Sequence, residues 1–322
     1  MKKLILFTSI LLIGLIALGL SAGSEGVNFS SLKHIFSDSF ESKIIINLRL
    51  PRVLGAIFSG SLLAISGAIM QLLMKNPLAS PFTLGVSQSA AFGAAFAIGV
   101  LEISQTNLSV TGCALLSSMV CMGMILLLAS RSNLSSLSLV LAGIAFGALF
   151  SSLTMLIQFF ANDTDAAAIL FWTFGDLGRA TFKNAFILGV FALVMLFIPW
   201  ISHWKFDALS FGDESAKSRG LNVGRFRFCM LFLATLSSCL VVSFFGIIGF
   251  VGLIAPHLVR FITKRHDSFI IMPISMLFGS TLLLSSDIVS SVVLAPVSIP
   301  VGIITSLIGA PIVLFLLVKG VK

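Results

Sequence analysis

Long, uninterrupted apolar runs recur along this chain, and they limit its fold more than any other feature. The runs at 4–20, 108–130 and 137–160 contain no charged residue. A helix needs about 20 apolar residues to cross the hydrocarbon core of a bilayer. Because these runs are continuous and do not alternate with polar residues, they exclude a transmembrane β-barrel.

Composition supports the same interpretation. Only 10% of the 322 residues are charged and the mean hydropathy is +1.12, whereas soluble domains carry about 25% charged residues. A chain of this length holds about ten membrane-spanning helices with short loops. We therefore predict an all-α, polytopic membrane protein that forms a single transmembrane domain over residues 1–322 and is surrounded by lipid.

The positions of these helices follow from the apolar runs. The first run follows Lys2 and Lys3 and has two interpretations, a cleaved signal peptide or a retained first helix, and its length favours the retained helix. The segment 246–262 is short and broken by Gly and Pro, which predicts a half-length helix. The other predicted spans are about 49–74, 81–101, 108–130, 137–160, 184–201, 228–245, 268–294 and 301–318.

The basic residues predict the orientation. In this topology fourteen of the 20 Lys and Arg residues fall on one side, and six (Lys33, Lys43, Arg49, Arg52, Arg179 and Lys183) fall on the other. Basic residues accumulate in cytoplasmic loops, so both termini are expected in the cytoplasm. The same rule accounts for the net charge of +8 without nucleic acid as a partner. The segments 21–48 and 161–183 would be external, with Trp172 as an interfacial anchor.

A long polar interruption, 202–227, would then be cytoplasmic. A loop of this length and charge is suited to contact with a soluble partner, although a merely solvated loop is the alternative. Its charged residues are Lys205, Asp207, Asp213, Glu214, Lys217, Arg219, Arg225 and Arg227.

The cysteines do not indicate a metal site or a disulfide. Each of the four lies inside an apolar run, and none forms a C-x-x-C motif or a Cys/His cluster. His257 is a possible ligand for iron or haem, but a capping or hydrogen-bonding role is more common for a lone interfacial histidine. We therefore expect no metal ion and no cofactor.

Three ordered blocks carry a family resemblance. The segment Arg49–Ala94 contains RLPR and KNPLASP, Gly246–Arg260 reads GIIGFVGLIAPHLVR, and Ile299–Pro311 reads IPVGIITSLIGAP. Together they resemble the iron-siderophore and cobalamin permease family of ABC importers, whose members are type II importer permeases.

The resemblance implies an assembly in the bacterial inner (plasma) membrane. Two permease copies, as a homodimer or with a close paralogue, would each sit on one of two cytoplasmic ATPase subunits. A periplasmic or lipid-anchored binding protein would deliver the cargo. No Walker motif, G-x-x-x-x-G-K-[ST], occurs in the chain, so it is not itself expected to be an enzyme and the ATPase would be a separate chain.

Within the polar interruption, the segment Ala208–Leu221 is similar to the coupling helices of this family. Residues matching the family pattern are Leu209, Gly212, Ala216 and Gly220. Between the two glycines there is room for about two helical turns. Asp213 and Glu214 would lie in the first turn and Lys217 near the last, as the helix dipole favours. We predict that these seven residues contact the ATPase.

A translocation path is less clearly marked. By resemblance, the fifth and tenth spans border a central cavity, which makes Ser151, Thr154 and Gln158 candidate lining residues. Asp287 lies inside a span, and a carboxyl group there is costly, so it is a candidate as well; hydrogen bonds to nearby serines or to a helix end are the plain alternative. Many family members carry Arg and Glu where this chain has Ser291 and Ser298.

The most specific function that this reading predicts is ATP-driven import of a ferric siderophore by alternating access. Haem or cobalamin are alternative cargoes within the family. A proton- or ion-coupled secondary transporter, with Asp287 as the carboxylate, is the alternative from a different class.

Overall fold

A computed structural model of the chain describes residues 2–23, 26–27, 40–104, 108–130 and 136–320. The predictions for Lys33, Arg131 and Lys322 lie outside the described residues. The described part is almost entirely helical, with one two-residue strand pair, Ala22–Gly23 with Gly26–Val27.

Fourteen α-helices follow one another in the described residues. They are α1 Lys2–Ser21, α2 Phe40–Ile44, α3 Leu50–Met74, α4 Val86–Gly99, α5 Leu108–Ser130, α6 Ser136–Phe160, α7 Asp163–Thr173, α8 Phe182–Ile201, α9 His203–Ser210, α10 Asp213–Ser218, α11 Val223–Phe245, α12 Val251–Thr263, α13 Ser268–Val292 and α14 Val301–Gly320. A π-helical turn, Ile45–Arg49, joins α2 to α3, and a 3₁₀ turn, Leu177–Arg179, precedes α8.

Seven helical runs in the described residues are long and apolar enough to cross a membrane, and α4, α12 and α14 are shorter apolar helices. This confirms the prediction of an all-α polytopic protein with about ten spans. The half-length helix predicted within 246–262 is α12, which has 13 residues.

Helix α3 lies at the centre of the bundle. The helical run 42–74 is 83% buried, against 28% for α6 and for α8. Helix α3 packs against α13, α11, α8 and α12, while α4 packs against α5 and α6.

Small residues let these helices approach closely, as their abundance predicts. A Cβ atom at Gly60 would lie 2.3 Å from the carbonyl oxygen of Gly279 on α13. A Cβ atom at Gly67 would lie 1.7 Å from the carbonyl oxygen of Gly252 on α12. The two contacts hold the backbones of three helices together without intervening side chains.

Four boundaries differ from those predicted. The third span begins at Val86, because 81–85 form a turn that ends at Gly85 with φ +73°. The seventh begins at Val223, where the side chain of Asn222 caps α11 by accepting from the amide of Arg225. The second span is preceded by the helical turns of 40–49. The external segment predicted at 161–183 contains a helix, α7.

Trp172 is not an interfacial anchor, so that prediction is wrong. Its side chain is only 2% exposed and packs in a cluster with residues of α4 and α5. Helix α7 therefore packs against the bundle and does not lie apart from it at the membrane surface.

Candidate functional site

The predicted coupling segment forms two short helices, α9 and α10, separated by Phe211 and Gly212. Gly212 has φ +116° and Gly220 has φ +81°, and no heavy atom lies within 4 Å of a Cβ atom built at either position. Glycine is needed here for its backbone conformation and not for close packing. The two positive-φ residues start and end α10 as the pattern predicted.

Apolar residues hold this segment to the bundle. Leu209 is 1% exposed and Ala216 is fully buried. Phe206 on α9 contacts Phe226 on α11, with ring centroids 5.0 Å apart. Two of the predicted contact residues, Leu209 and Ala216, thus face inward, so their direct role is to position the segment.

The charged residues of α10 divide between two roles. Asp213 accepts hydrogen bonds from Nη2 of Arg227 at 3.0 and 3.2 Å, and the Arg227 side chain is only 9% exposed. The charge of Arg227 therefore fixes the first turn of α10. Glu214 and Lys217 are exposed, and so is Phe211, which precedes α10 and is 74% exposed. A contact with the ATPase stays a prediction for all seven residues.

Helix α9 is bonded to the start of α13. Asp207 Oδ1 accepts from the amide of Ser268 at 3.1 Å and from its hydroxyl at 2.7 Å. The Ser268 hydroxyl is also 2.9 Å from the carbonyl oxygen of His203. The polar segment is thus joined to the first residue of a long transmembrane helix.

Asp287 lies further along α13 and forms a bidentate ion pair with Arg52 on α3. Arg52 Nε lies 2.9 Å from Oδ2, and Nη2 lies 2.9 Å from Oδ1. The alternative, that Asp287 forms hydrogen bonds to neighbouring serines or to a helix end, is therefore wrong, because its partner is Arg52. Ser291 donates to the carbonyl oxygen of Ile288 within α13.

The two attachments of α13 are a membrane thickness apart. Ser268 and Asp287 are separated along a continuous helix, and at 1.5 Å per residue this separation is about 28 Å. The hydrocarbon core of a bilayer is about 30 Å thick. Asp207 and Arg52 therefore bind α13 near opposite faces of the membrane.

Gln71 makes a third polar link, inside the bundle. It is 3% exposed on α3. Its Nε2 donates to the carbonyl oxygen of Leu253 at 3.2 Å, and its Oε1 accepts from Arg260, also on α12. The half-length helix is thus tied to α3 by one amide side chain.

The candidate path residues of α6 have different surroundings. Thr154 is 7% exposed, and its hydroxyl donates to the carbonyl oxygen of Phe150 at 2.8 Å. Ser151 and Gln158 are partly buried. The face of α6 that is most exposed is apolar, and Phe159 there is 81% exposed. A path role for Ser151, Thr154, Gln158 and Asp287 stays a prediction.

A concavity of about 470 Å³ opens beside α14. Its floor is backbone: the amide of Gly302 donates to the carbonyl oxygen of Gly175 at 3.1 Å, and a Cβ atom at Gly302 would lie 2.5 Å from the carbonyl oxygen of Ile247. Ser306 and Thr173 contribute hydroxyl groups. The sequence did not predict this feature, although the glycines of the second and third blocks are its signal.

The loop that supplies Gly175 is held by charged residues at its end. Asp176 accepts from the amide of Gly178 at 2.7 Å, and its own amide donates to the carbonyl oxygen of Phe245 at 2.8 Å. Arg179 donates to the carbonyl oxygen of Phe171 at 3.2 Å. Burial lowers the pKa of the Arg179 guanidinium, and the nearby Asp176 carboxylate opposes that shift.

Comparison with known proteins matches residues 10–319 to the FecCD transport family. A relative from Methanocaldococcus jannaschii, named as an ABC transporter permease protein, is 44% identical over 87% of this chain and 82% of its own length. A Fe(3+)-citrate import system permease protein from Bacillus subtilis is 34% identical over 98% of this chain and 92% of its own length.

More distant similarity extends to other cargoes. A vitamin B12 import system permease protein from Vibrio vulnificus is 31% identical over 91% of this chain and 86% of its own length. A solved structure, named as a metal-chelate type ABC transporter in an inward-facing conformation, superposes with a TM-score of 0.85 at 29% identity and covers 99% of both chains.

Proposed function

The chain belongs to the FecCD transport family, as a permease subunit of an ABC importer, and we propose that its cargo is a ferric siderophore. The observation that carries this proposal is the family match over residues 10–319, supported by relatives that are named for iron complexes. The relative named for Fe(3+)-citrate is 34% identical and that named for vitamin B12 is 31% identical. Cobalamin is thus the second candidate, ahead of haem.

The proposed assembly has two permease copies, two ATPase subunits and one binding protein in the inner membrane, with both termini in the cytoplasm. The exposed part of α9 and α10 would contact the ATPase. Phe211, Glu214 and Lys217 present an apolar and charged surface, while Asp213 and Arg227 keep that surface rigid. Rigid attachment is needed because a flexible contact would not transmit movement into the helices.

Helix α13 offers a route for that movement. One end is bonded to α9 through Asp207 and Ser268, and the other end is bonded to α3 through Asp287 and Arg52. A displacement of α9 therefore acts on a helix that reaches the opposite membrane face. ATP-bound and ATP-free states of the ATPase must bind the permease conformations with different affinity for this to drive transport.

We place the cargo path along α14 and α6, beside the concavity that holds Ser306. Its surface is mostly apolar, with few hydroxyl groups. Such a surface would let a large chelate pass without binding it tightly, which leaves cargo selection to the binding protein.

The pairing of Asp287 favours this mechanism over a proton-coupled one. A proton carrier must exchange its proton with both sides, whereas this carboxylate is 4% exposed and bound to a guanidinium through both oxygens.

The test is reconstitution of the permease with its ATPase and binding protein in proteoliposomes. We expect uptake of a ferric chelate that requires ATP and is unchanged when a protonophore abolishes the proton gradient. Ferric siderophores, cobalamin and haem are compared at equal concentrations. Uptake of cobalamin or haem alone would refute the proposed cargo, and uptake that needs the proton gradient but not ATP would refute the importer mechanism.

A further inference from the structure

Three side chains with metal-binding groups meet where α9 contacts the start of α13. They are His203 and Asp207 on α9 and Asp267, which immediately precedes α13. One ligand atom from each lies within 4.8 Å of the other two, and among the described residues this is the one such group of three. The sequence did not indicate it, because the aspartates are 60 positions apart and no cysteine is involved.

Among the described residues, each carboxylate of this group has one oxygen that accepts no hydrogen bond. Asp207 Oδ1 is occupied by the amide and hydroxyl of Ser268. Asp267 Oδ1 accepts from the amide of Phe269 at 3.0 Å and so caps α13. These bonds fix both side chains while their second oxygens remain available.

The third candidate ligand is the imidazole of His203. His203 Nδ1 is buried and has no hydrogen-bond partner in the part of the chain that the structure describes, although it lies 3.5 Å from Asp207 Oδ2. A buried polar nitrogen without a hydrogen-bond partner is energetically unfavourable. The imidazole is oriented by an edge contact with the Phe269 ring, at 5.0 Å between centroids. Nδ1 thus faces the Asp207 carboxylate in a held orientation.

We propose that His203, Asp207 and Asp267 bind one divalent transition-metal ion. Nitrogen and oxygen ligands lie about 2.0–2.2 Å from an ion such as Zn²⁺, so ligand atoms around it are about 3–4 Å apart. Small side-chain rotations bring the three atoms from within 4.8 Å to that spacing. One imidazole with two carboxylates selects Zn²⁺, Fe²⁺ or Mn²⁺ over Mg²⁺, which prefers an all-oxygen shell.

Solvent reaches the side chains of this group, although the Nδ1 atom of His203 itself is buried. The side chains of His203 and Asp207 are 36% and 37% exposed, and Asp267 is exposed. Water would complete the coordination shell. The ion joins α9 to the residue that caps α13, so it stiffens the base from which α10 projects. The site does not depend on which cargo the permease carries.

The simpler interpretation is that His203 pairs with Asp207 while Asp267 only caps α13. That arrangement accounts for the 3.5 Å separation and predicts no metal binding. Metal titration therefore separates the two directly.

The experiment uses the full chain in detergent, without a polyhistidine tag, after treatment with a chelator. Equilibrium dialysis against Zn²⁺ or Mn²⁺, with metal content measured by mass spectrometry, should show one ion per chain. Mg²⁺ at the same concentration should bind far more weakly. Trp200 stacks on Phe269 with centroids 5.1 Å apart, so its fluorescence should change in step with occupancy.

Two variants test the ligands while retaining local hydrogen bonding. His203→Gln removes the imidazole, and Asp267→Asn keeps a good helix cap. Each should weaken Zn²⁺ binding by about tenfold or more, with an unchanged elution profile and metal-free melting temperature. The matched control, His257→Gln on α12, should bind like the parent. Absence of stoichiometric binding, or unchanged affinity in both ligand variants, would overturn the proposal.

Discussion

Arg52 and Asp287 are 235 positions apart in the chain, yet the Arg52 guanidinium donates hydrogen bonds to both carboxylate oxygens of Asp287. The pair joins α3 to α13 near one membrane face. Deeper in the bundle the same two helices touch backbone to backbone at Gly60 and Gly279. A charged contact and a glycine contact thus fix both the spacing and the register of the central helix pair.

The first prediction concerns this ion pair. Arg52→Ala or Asp287→Ala leaves one buried charge without its partner, which costs about 3–5 kcal/mol. Each single variant should therefore melt well below the parent in detergent. The double variant Arg52→Leu/Asp287→Leu should recover much of the loss, because it leaves neither charge behind.

The control for this series is Arg225→Ala, which removes an exposed arginine and should leave the melting temperature unchanged. A double variant that loses the sum of the two single effects would mean that the residues act independently, contrary to the geometry.

The second prediction concerns close packing at Gly67. Its Cβ position is 1.7 Å from a backbone oxygen of α12, whereas a Cβ atom at Gly123 on α5 would meet no heavy atom within 4 Å. Overpacking a core costs about 1–3 kcal/mol and sometimes more, and a backbone oxygen cannot rotate away. Gly67→Ala should abolish the monodisperse peak in size-exclusion chromatography, while Gly123→Ala should elute like the parent. Equal behaviour of the two would contradict the described packing.

Much of this fold is readable from local pattern. An apolar run that is long enough to cross a bilayer forms a helix, because only a helix satisfies all of its backbone hydrogen bonds within the segment. The glycines and the proline in 246–262 shorten α12, and they too are visible in the local sequence. The glycines that start and end α10 are likewise local, because positive φ is a property of single residues. These features were predicted without tertiary information.

The errors arise where tertiary contacts decide. Arg227 follows a polar loop, and nothing in the local pattern indicates its ion pair with Asp213. Trp172 sits in a loop-like segment, but α7 buries it. The partner of Asp287 is Arg52, which lies on a helix more than 200 positions away. The proposed metal ligands on α9 and before α13 are close together only because these two helices are in contact. Pairings of this kind have no periodic signature.

The third prediction concerns the proposed ATPase contact. Glu214 is exposed in the first turn of α10, so Glu214→Arg should keep the fold but reverse a charge at the contact. Gly212 has φ +116°, which proline, held near −65°, cannot adopt. Both variants should reach the membrane, lose co-purification of the ATPase and lose ATP-driven uptake. The matched control is Glu102→Arg, an exposed glutamate after α4, which should retain the ATPase. Normal uptake in both α10 variants would show that the contact lies elsewhere.

The fourth prediction concerns the cargo path beside α14. Ser306 lines the concavity of about 470 Å³, and its hydroxyl donates to the carbonyl oxygen of Gly302 at 2.8 Å. Ser306→Trp places a bulky ring in that space, so the initial rate of ferric-chelate uptake in proteoliposomes should fall at least tenfold while ATPase co-purification is retained. Ser306→Ala removes only a bond to the helix's own backbone and should transport at the parent rate. Thr154→Val should also be neutral, because that hydroxyl is buried against Phe150. If Ser306→Trp transports normally, the path does not follow this face of α14. If Thr154→Val blocks uptake, the Thr154 hydroxyl contributes to the path in spite of its bond to the carbonyl oxygen of Phe150.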